Sequence, residues 1–581
     1  MNSKFRSSVL SFPTLVLAGV FVGSVAGYSL GIQIIDSGRV RATGSRSTSF
    51  RNFETYHFSG SSLCSPCHDR LNSTDETVIS LVSDWTQSLM AYSFVDPLWR
   101  AKVRSETLRN EHLTGLIEEK CVRCHAPMAS VEAQYSNSSI DLFGSEGLTQ
   151  ESNPLYSAAM EGVSCTFCHQ ILDDPALGTD EGNSGKFKIT EAYPSLWERP
   201  IFGQFDQVQT SQMVGSVRYL PQYSAHLHES RVCATCHDLK TPYVDANGDL
   251  VTDKEGNLVL FPEQMPFREW SNSIYGADEG SSDYTRCHEC HLSHAEPTPL
   301  SRIPGQLEAR EDFSKHTFFT ENIILLEILD AFDRALGIGD VDFSEVKAEG
   351  EVYLSGAGMV EVKSVTVDED NQLWAVVRVE NFTGHKLPTS IPIRRAFIHF
   401  TVVDQRNDSV LFESGRPLAD GRIQGVDADG DPSLFEPHYD EITSGDEVQI
   451  YEGIMENTEE EVTYTLLRAA RFAKDNRLLP YGFDKGSVED DVKPAGACLE
   501  DPNFIGGEDE VTYIADIHDV PISHLMIRVE LLDQTLSYRF IQDLFQDSGD
   551  SIVSRFHSMY EPFVSRFETI ESVEVALEMV N

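Results

Sequence analysis

The placement of cysteine and histidine constrains this chain more than any other feature. Between Cys64 and His291 the pattern Cys, two residues, Cys, His occurs five times. The copies are Cys64/Cys67/His68, Cys121/Cys124/His125, Cys165/Cys168/His169, Cys233/Cys236/His237 and Cys287/Cys290/His291. Ten of the 11 cysteines are used this way. C-x-x-C-H is the attachment signature of c-type haem. Two thiols one helical turn apart can each add to a haem vinyl group, and the adjacent histidine then faces the iron. A disulfide framework has no use for a histidine after every second cysteine. Structural zinc takes paired C-x-x-C units without one. Cys498 is left over and reads as a buried free thiol. Consecutive motifs are only a few dozen residues apart, so each haem has a thin wrapping of protein and the haems must pack close together.

The balance of charge narrows the partners. With 45 basic against 92 acidic residues the formal charge is −47 over 581 residues. Such a surface repels nucleic acid and anionic lipid headgroups and favours a basic partner, or suits a salty medium. At the N-terminus Lys4 and Arg6 precede a run with no charged residue before Asp36. Ser24, Val25 and Ala26 offer a cleavage site, so residues 1–36 read as a signal peptide. The same run is long enough to cross a bilayer as one helix. Arg39, Arg41, Arg46 and Arg51 beyond it count against an anchor. The reading adopted is an uncleaved tether over residues 8–35, with residues 37–52 as a linker.

Residues 53–340 carry the motifs and show little sustained periodicity. Helix is expected over 75–94 and 98–121, and an apolar helix over about 321–336. Asp245 to Asp249 and Asp253 to Asn257 read as turns between short β-like runs at 243–244 and 258–261. The first lacks the glycine and glutamate register of a calcium loop. Each iron takes one ligand from its own motif and needs a sixth from elsewhere. His226 and His228 lie just before the fourth motif. His294 follows the fifth motif, too near to turn onto the same iron. His316 precedes the apolar helix. His399 alternates with apolar residues and reads as structural.

Beyond residue 352 the pattern changes to strands at 360–367, 373–379, 397–403, 410–414, 448–451, 462–467, 511–517 and 525–532. They suggest a β-sandwich over 350–535. Amphipathic helices at 541–545 and 552–577 would close it, giving a helical segment over 536–581. The expected fold class is α+β: a mostly irregular and helical pentahaem domain followed by an all-β sandwich-like domain. Asp427, Asp429 and Asp431 alternate around Gly430 and suit either calcium or a solvated acidic turn.

Several stretches resemble the large multihaem cytochrome c class that includes hydroxylamine oxidoreductase, pentahaem nitrite reductase and the tetrahaem carrier of nitrifiers. They are Trp85 to Met90, Asp96 to Trp99, Cys121 to Met128, Gly162 to His169, and Glu269 with Trp270. The resemblance implies a distal haem ligand near position 90, where relatives carry histidine and this chain has Met90. Methionine sulfur either ligates iron there, on the first haem, or only packs against porphyrin. Thr383-Gly384-His385-Lys386-Leu387-Pro388, Glu436 to Tyr439 and the run 468–483 resemble parts of multihaem cytochromes with a C-terminal β-domain. His385 is therefore a candidate distal ligand. Resemblance to c-type cytochromes in general implies export, because haem is attached outside the cytoplasm.

Two readings of function follow. Motifs that all end in histidine, with spare histidines for every sixth position, describe an electron carrier with no catalytic residues and with redox proteins as partners. The alternative is an oxidoreductase with one open iron acting on a small nitrogen or sulfur compound. No motif here ends in the lysine of the catalytic haem of pentahaem nitrite reductase. A haem-bearing adhesion or scaffold protein gains only from the β-sandwich.

Overall fold

The structure, a computed structural model, describes residues 51–518 and 520–577. The tether expected over residues 8–35 lies outside the described residues. Among those described, no helix is long and apolar enough to cross a membrane. The chain is α+β, with its helices concentrated in the first part and its long strands in the second.

The five motifs form short helical segments. These are α1 (Ser65–His68), the end of α3 (Thr114–His125), α4 (Cys165–Cys168), α5 (Arg231–His237) and α7 (Cys287–His291). The first long helix, α2 (Pro97–Arg109), starts where local chemistry requires it. Asp96 accepts hydrogen bonds from the Leu98 and Trp99 amides at 2.8 and 3.3 Å, and Pro97 occupies the first turn, where its missing N–H costs nothing. The continuous helix expected over 98–121 is instead two helices that break at Asn110. The helix expected over 75–94 reduces to Leu81–Trp85 and a 3-10 turn at Leu89–Tyr92. Ser88 between them is extended, and its hydroxyl donates to the Trp85 carbonyl at 2.8 Å, the local competition that shortens helices at serine.

Small sheets frame the motif helices. β1 (Arg199–Gly203) pairs in parallel with β2 (Tyr219–Tyr223), and β3 (Leu239–Pro242) pairs antiparallel with β4 (Leu260–Gln264). The Asp245 and Asp253 turns lie between β3 and β4. Asp245 accepts from the Asn247 amide at 2.8 Å and Asp253 accepts from the Asn257 amide at 2.8 Å, so both are self-closed turns. Helix α6 (Pro266–Ser271) leads to the fifth motif. Beyond that motif, α8 (Ile323–Ala331) is nearly all buried and α9 (Ser344–Ser355) leads into the sheets.

Two sheets follow. The first has the order β5-β6-β12-β9, formed by β5 (Gly358–Val367), β6 (Gln372–Asn381), β9 (Glu441–Ile442) and β12 (Glu508–Asp516). The second runs β11-β10-β7-β13-β14, with β8 (Ser409–Ser414) also pairing with β7 (Arg395–Asp404). Its other members are β10 (Ile450–Glu456), β11 (Arg471–Asp475), β13 (Leu525–Gln534) and β14 (Glu568–Ala576). Alternation with period two sets the inner faces. Leu373, Ala375, Val377 and Val379 of β6 share one core with Ile398, Phe400 and Val402 of β7 and with Val511 and Tyr513 of β12. Phe400 stacks on Tyr513 with centroids 4.0 Å apart, joining one sheet to the other.

Two strand-and-helix expectations need correction. Residues 462–467 form no strand, because the Leu466 and Leu467 amides donate to the Glu106 carboxylate at 2.7 and 3.2 Å instead of to a neighbouring strand. The helix expected over 552–577 ends at Tyr560 in α11 (Ser551–Tyr560), and β14 then pairs antiparallel with β13. Before it, α10 (Tyr538–Phe545) and α11 return to α2. There Arg104 pairs with Asp550 at 2.9 Å, and Arg109 pairs with Asp543 and Asp547 at 2.7 and 2.8 Å.

Phe400→Ala should cost about 3–5 kcal/mol in chemical denaturation, the range for a fully buried aromatic. Val410→Ala, on a side chain that is 53% exposed in β8, should stay within about 0.5 kcal/mol of the parent.

Candidate haem-binding cavity

All ten motif cysteines and all five motif histidines line one cavity of about 1510 Å³. The local geometry of the histidines is nearly uniform. Nδ1 of His68 lies 3.0 Å from the Leu300 carbonyl, that of His125 2.9 Å from Ser93, that of His169 2.7 Å from Phe202, and that of His291 2.9 Å from Phe319. A carbonyl only accepts, so Nδ1 carries the proton in each ring. The lone pair is left on Nε2, the tautomer that a metal-ligating histidine needs. Burial pushes all five imidazoles down, to about 4 for His125 and His237, which keeps them neutral and able to ligate. These residues fit covalent haem: paired thiols, a neutral imidazole with a free Nε2, and a shared apolar cavity.

Two further histidines stand opposite motif histidines. An imidazole nitrogen sits about 2 Å from a first-row metal it binds, so two rings sharing one metal have centroids about 6.3 Å apart. His316 faces His169 with centroids 6.3 Å apart and planes 17° from parallel. His385 faces His291 at 6.3 Å and 24°. Nδ1 of His385 lies 3.0 Å from the Lys386 carbonyl, which again leaves Nε2 free. Among the described residues no second imidazole stands at this spacing from His68, His125 or His237.

The other candidates fall elsewhere. His226 is buried with both nitrogens engaged, Nδ1 with the Ser224 hydroxyl at 2.6 Å and Nε2 with the Ile171 carbonyl at 2.8 Å. It has no lone pair to give an iron, which corrects its candidacy. His294 is corrected as well: it is exposed on a strand whose other face buries Ala295, and it does not line the cavity. Nδ1 of His228 accepts from Arg286 at 2.7 Å. His57 and His112 bond protein acceptors away from the cavity. His399 is structural as expected, held by Glu530 at 2.8 Å and Glu413 at 3.1 Å. Met90 lines the cavity and packs against the apolar cluster that contains Phe167 of the third motif. Its segment is tied to the second motif through Ser93, whose hydroxyl donates to the His125 carbonyl at 2.9 Å. His288, inside the fifth motif, was not singled out by sequence, yet its Nε2 is buried with no hydrogen-bond partner.

The thiols show which motifs are neighbours. Cys64 and Cys165, Cys124 and Cys236, and Cys233 and Cys287 are electrostatic neighbours. Cys168 lies close to both Cys233 and Cys236. The first motif therefore adjoins the third, the third adjoins the fourth, and the fourth adjoins both the second and the fifth.

The β-domain contributes His385 through a buried charge network that sequence reasoning missed. Glu269 of α6 accepts from the Lys386 amide at 3.1 Å and from the Thr389 hydroxyl at 2.5 Å. Lys386 Nζ lies 2.6 Å from Asp475, and Arg477 reaches Asp475 at 2.8 Å and Glu269 at 3.3 Å. Burial alone would raise Asp475, but Arg477 and Lys386 outweigh it and hold the carboxylate well below its usual range. The loop thus arrives with its backbone fixed, and the Asn381 side chain donates to the His385 carbonyl at 2.8 Å. The available signal was a lysine beside His385 and a charged stretch, Lys474-Asp475-Asn476-Arg477, leading into the apolar Leu478-Leu479.

Two possible cation sites fail on chemistry. The calcium expectation is corrected: both Asp429 oxygens are taken by the Arg395 guanidinium at 2.9 and 3.0 Å, and Asp431 caps the Ser433 amide at 2.9 Å. His438, Asp501 and Asp509 converge in the sandwich. However, the Gln449 and Asn476 side-chain amides both donate to His438 Nδ1 at 3.0 Å. Nε2 must then carry the proton it shares with Asp501 at 2.9 Å, so this ring is no ligand.

No family model matches the chain, and no curated protein matches it. It is similar to a solved penta-heme cytochrome c552 from Thermochromatium tepidum, at 14% identity and a TM-score of 0.47 over 90% of this chain and 100% of that one.

Asp475→Asn should leave Glu269 alone to balance two buried cations, Lys386 and Arg477, and cost about 3–5 kcal/mol. Asp475 is depressed in the folded state, so its contribution is complete above the unfolded carboxyl value of about 3.9 and is lost as pH falls toward the folded value. The parent should lose stability steeply under acid, and the variant's denaturation midpoint should fall less over the same range.

Proposed function

We propose that the chain is an exported c-type cytochrome that carries five covalent haems and passes single electrons between redox proteins. The observation that carries this reading is the continuity of the motifs: all five C-x-x-C-H segments open into one cavity, with thiols of adjoining motifs as electrostatic neighbours. Haem supplies one-electron redox chemistry when bound. The chain's own residues do the rest. The carbonyls of Leu300, Ser93, Phe202 and Phe319 orient four proximal imidazoles. His316 and His385 are the proposed sixth ligands of the third and fifth haems, and they deny those irons to substrate. Burial of the ligands in apolar surroundings disfavours added charge and so bears on each potential.

A second reading, an oxidoreductase acting on a small nitrogen or sulfur compound, is favoured by one observation. His68, His125 and His237 lack an opposing imidazole among the described residues, and Met90 is the one sulfur proposed for such a position.

Mass spectrometry of the denatured mature protein should show five haem adducts, and fewer would remove the count. His316→Ala and His385→Ala should each convert one low-spin haem to a form that binds carbon monoxide, read as a new band in the difference spectrum. The parent should bind little carbon monoxide, and strong binding by the parent would move the reading to the oxidoreductase. Cell fractionation should find the haem-loaded protein on the extracytoplasmic side.

A further inference from the structure

We infer that the fifth motif is the electron port, and that the surface around Cys290 docks a redox protein with a lysine-rich face. This rests on the carrier reading above. Of the ten motif thiols, only Cys290 is exposed, and the other nine are partly buried. A haem attached there presents its thioether edge to solvent, which shortens the path to any docked partner. Apolar side chains surround this edge without being covered. Val352 is 73% exposed and Phe382 is 41% exposed, and both line the same cavity as Cys290. Tyr275 is an electrostatic neighbour of Cys290, and its hydroxyl donates to the Phe382 carbonyl at 3.3 Å. The patch is small, as suits the brief encounters of electron-transfer proteins.

Charge selects the partner. Residues 278–289 carry Asp278, Glu279, Asp283 and Glu289 against Arg286 alone, with Glu289 an electrostatic neighbour of Cys290 and Asp283 of Tyr275. The four acidic residues are exposed, and Arg286 is engaged by Glu289 and His228, each at 2.7 Å. An apolar centre with an anionic rim attracts a cationic protein and orients it, while it repels nucleic acid and anionic membrane. The rim lies in the chain segment that leads into the motif whose His291 faces His385, and that motif neighbours the fourth through Cys233 and Cys287.

The test uses the haem-loaded chain and a small lysine-rich c-type cytochrome as probe. Stopped-flow transfer between them should slow steeply as salt is raised. Asp278→Lys with Glu279→Lys should slow it about tenfold or more at low salt. Glu369→Lys with Asp370→Lys, on the exposed β5–β6 turn, should change it little. Carbodiimide coupling of the complex, mapped by mass spectrometry, should join probe lysines to carboxylates between residues 278 and 289. Equal rates for the two charge-reversal variants, or cross-links confined to another face, would overturn the port. Reversible reduction by an uncharged hydroquinone and reoxidation by its quinone separates the two levels. If the parent fails that step the carrier reading itself falls, and if it passes while the rim variant behaves as the parent only the port falls.

Discussion

The structure depends on a hydrogen bond repeated four times: an imidazole N–H given to a backbone carbonyl. It fixes the tautomer, aims Nε2 into the cavity and holds the ring where burial keeps it neutral. The carbonyls come from distant segments, so the requirement spreads through the fold. Leu300 and Phe319 lie beyond the fifth motif, Ser93 precedes α2, and Phe202 belongs to β1. Much of the irregular chain in this half consists of segments that must pass a proximal ring with one carbonyl turned inward. Long regular helices and sheets would spend those carbonyls on themselves.

Attachment residues and the change from irregular to β structure were legible in sequence because each has a short-range signature. C-x-x-C-H is a local chemical requirement, and period-two alternation is a local geometric one. The sandwich strands at 360–367, 373–379, 397–403 and 525–532 therefore fall inside β5, β6, β7 and β13. What could not be read was set by partners far along the chain. Residues 462–467 have strand composition, yet Glu106 takes their amides. His226 sits beside a motif, yet Ser224 and Ile171 consume both nitrogens. Asp429 has calcium-loop spacing, yet Arg395 fills its fork. In each case the group was taken by a well-aligned partner that its sequence pattern does not announce: Glu106 for the amides, Ser224 and Ile171 for the imidazole, Arg395 for the carboxylate.

Buried charge has a similar logic in the second half. Glu269, Lys386, Asp475 and Arg477 are expensive to bury and could be replaced by apolar groups without loss of stability. Their value lies in geometry. A hydrophobic contact would tolerate small shifts of the His385 loop, whereas two carboxylates shared between an ammonium, a guanidinium and a backbone amide do not. The ring opposite His291 is thereby held by elements from both halves, α6 on one side and β11 on the other.

That shared support bears on how the chain is made. His291 and its motif are synthesised long before β6, the His385 loop and β11 exist. Until the sandwich closes, the ring opposite His291 and its charge network are missing, and that pocket stays open to solvent and to stray ligands. On the proposed haem reading, the fifth site would therefore be completed only with the C-terminal half, and a chain truncated within the sandwich would lack the ring opposite His291.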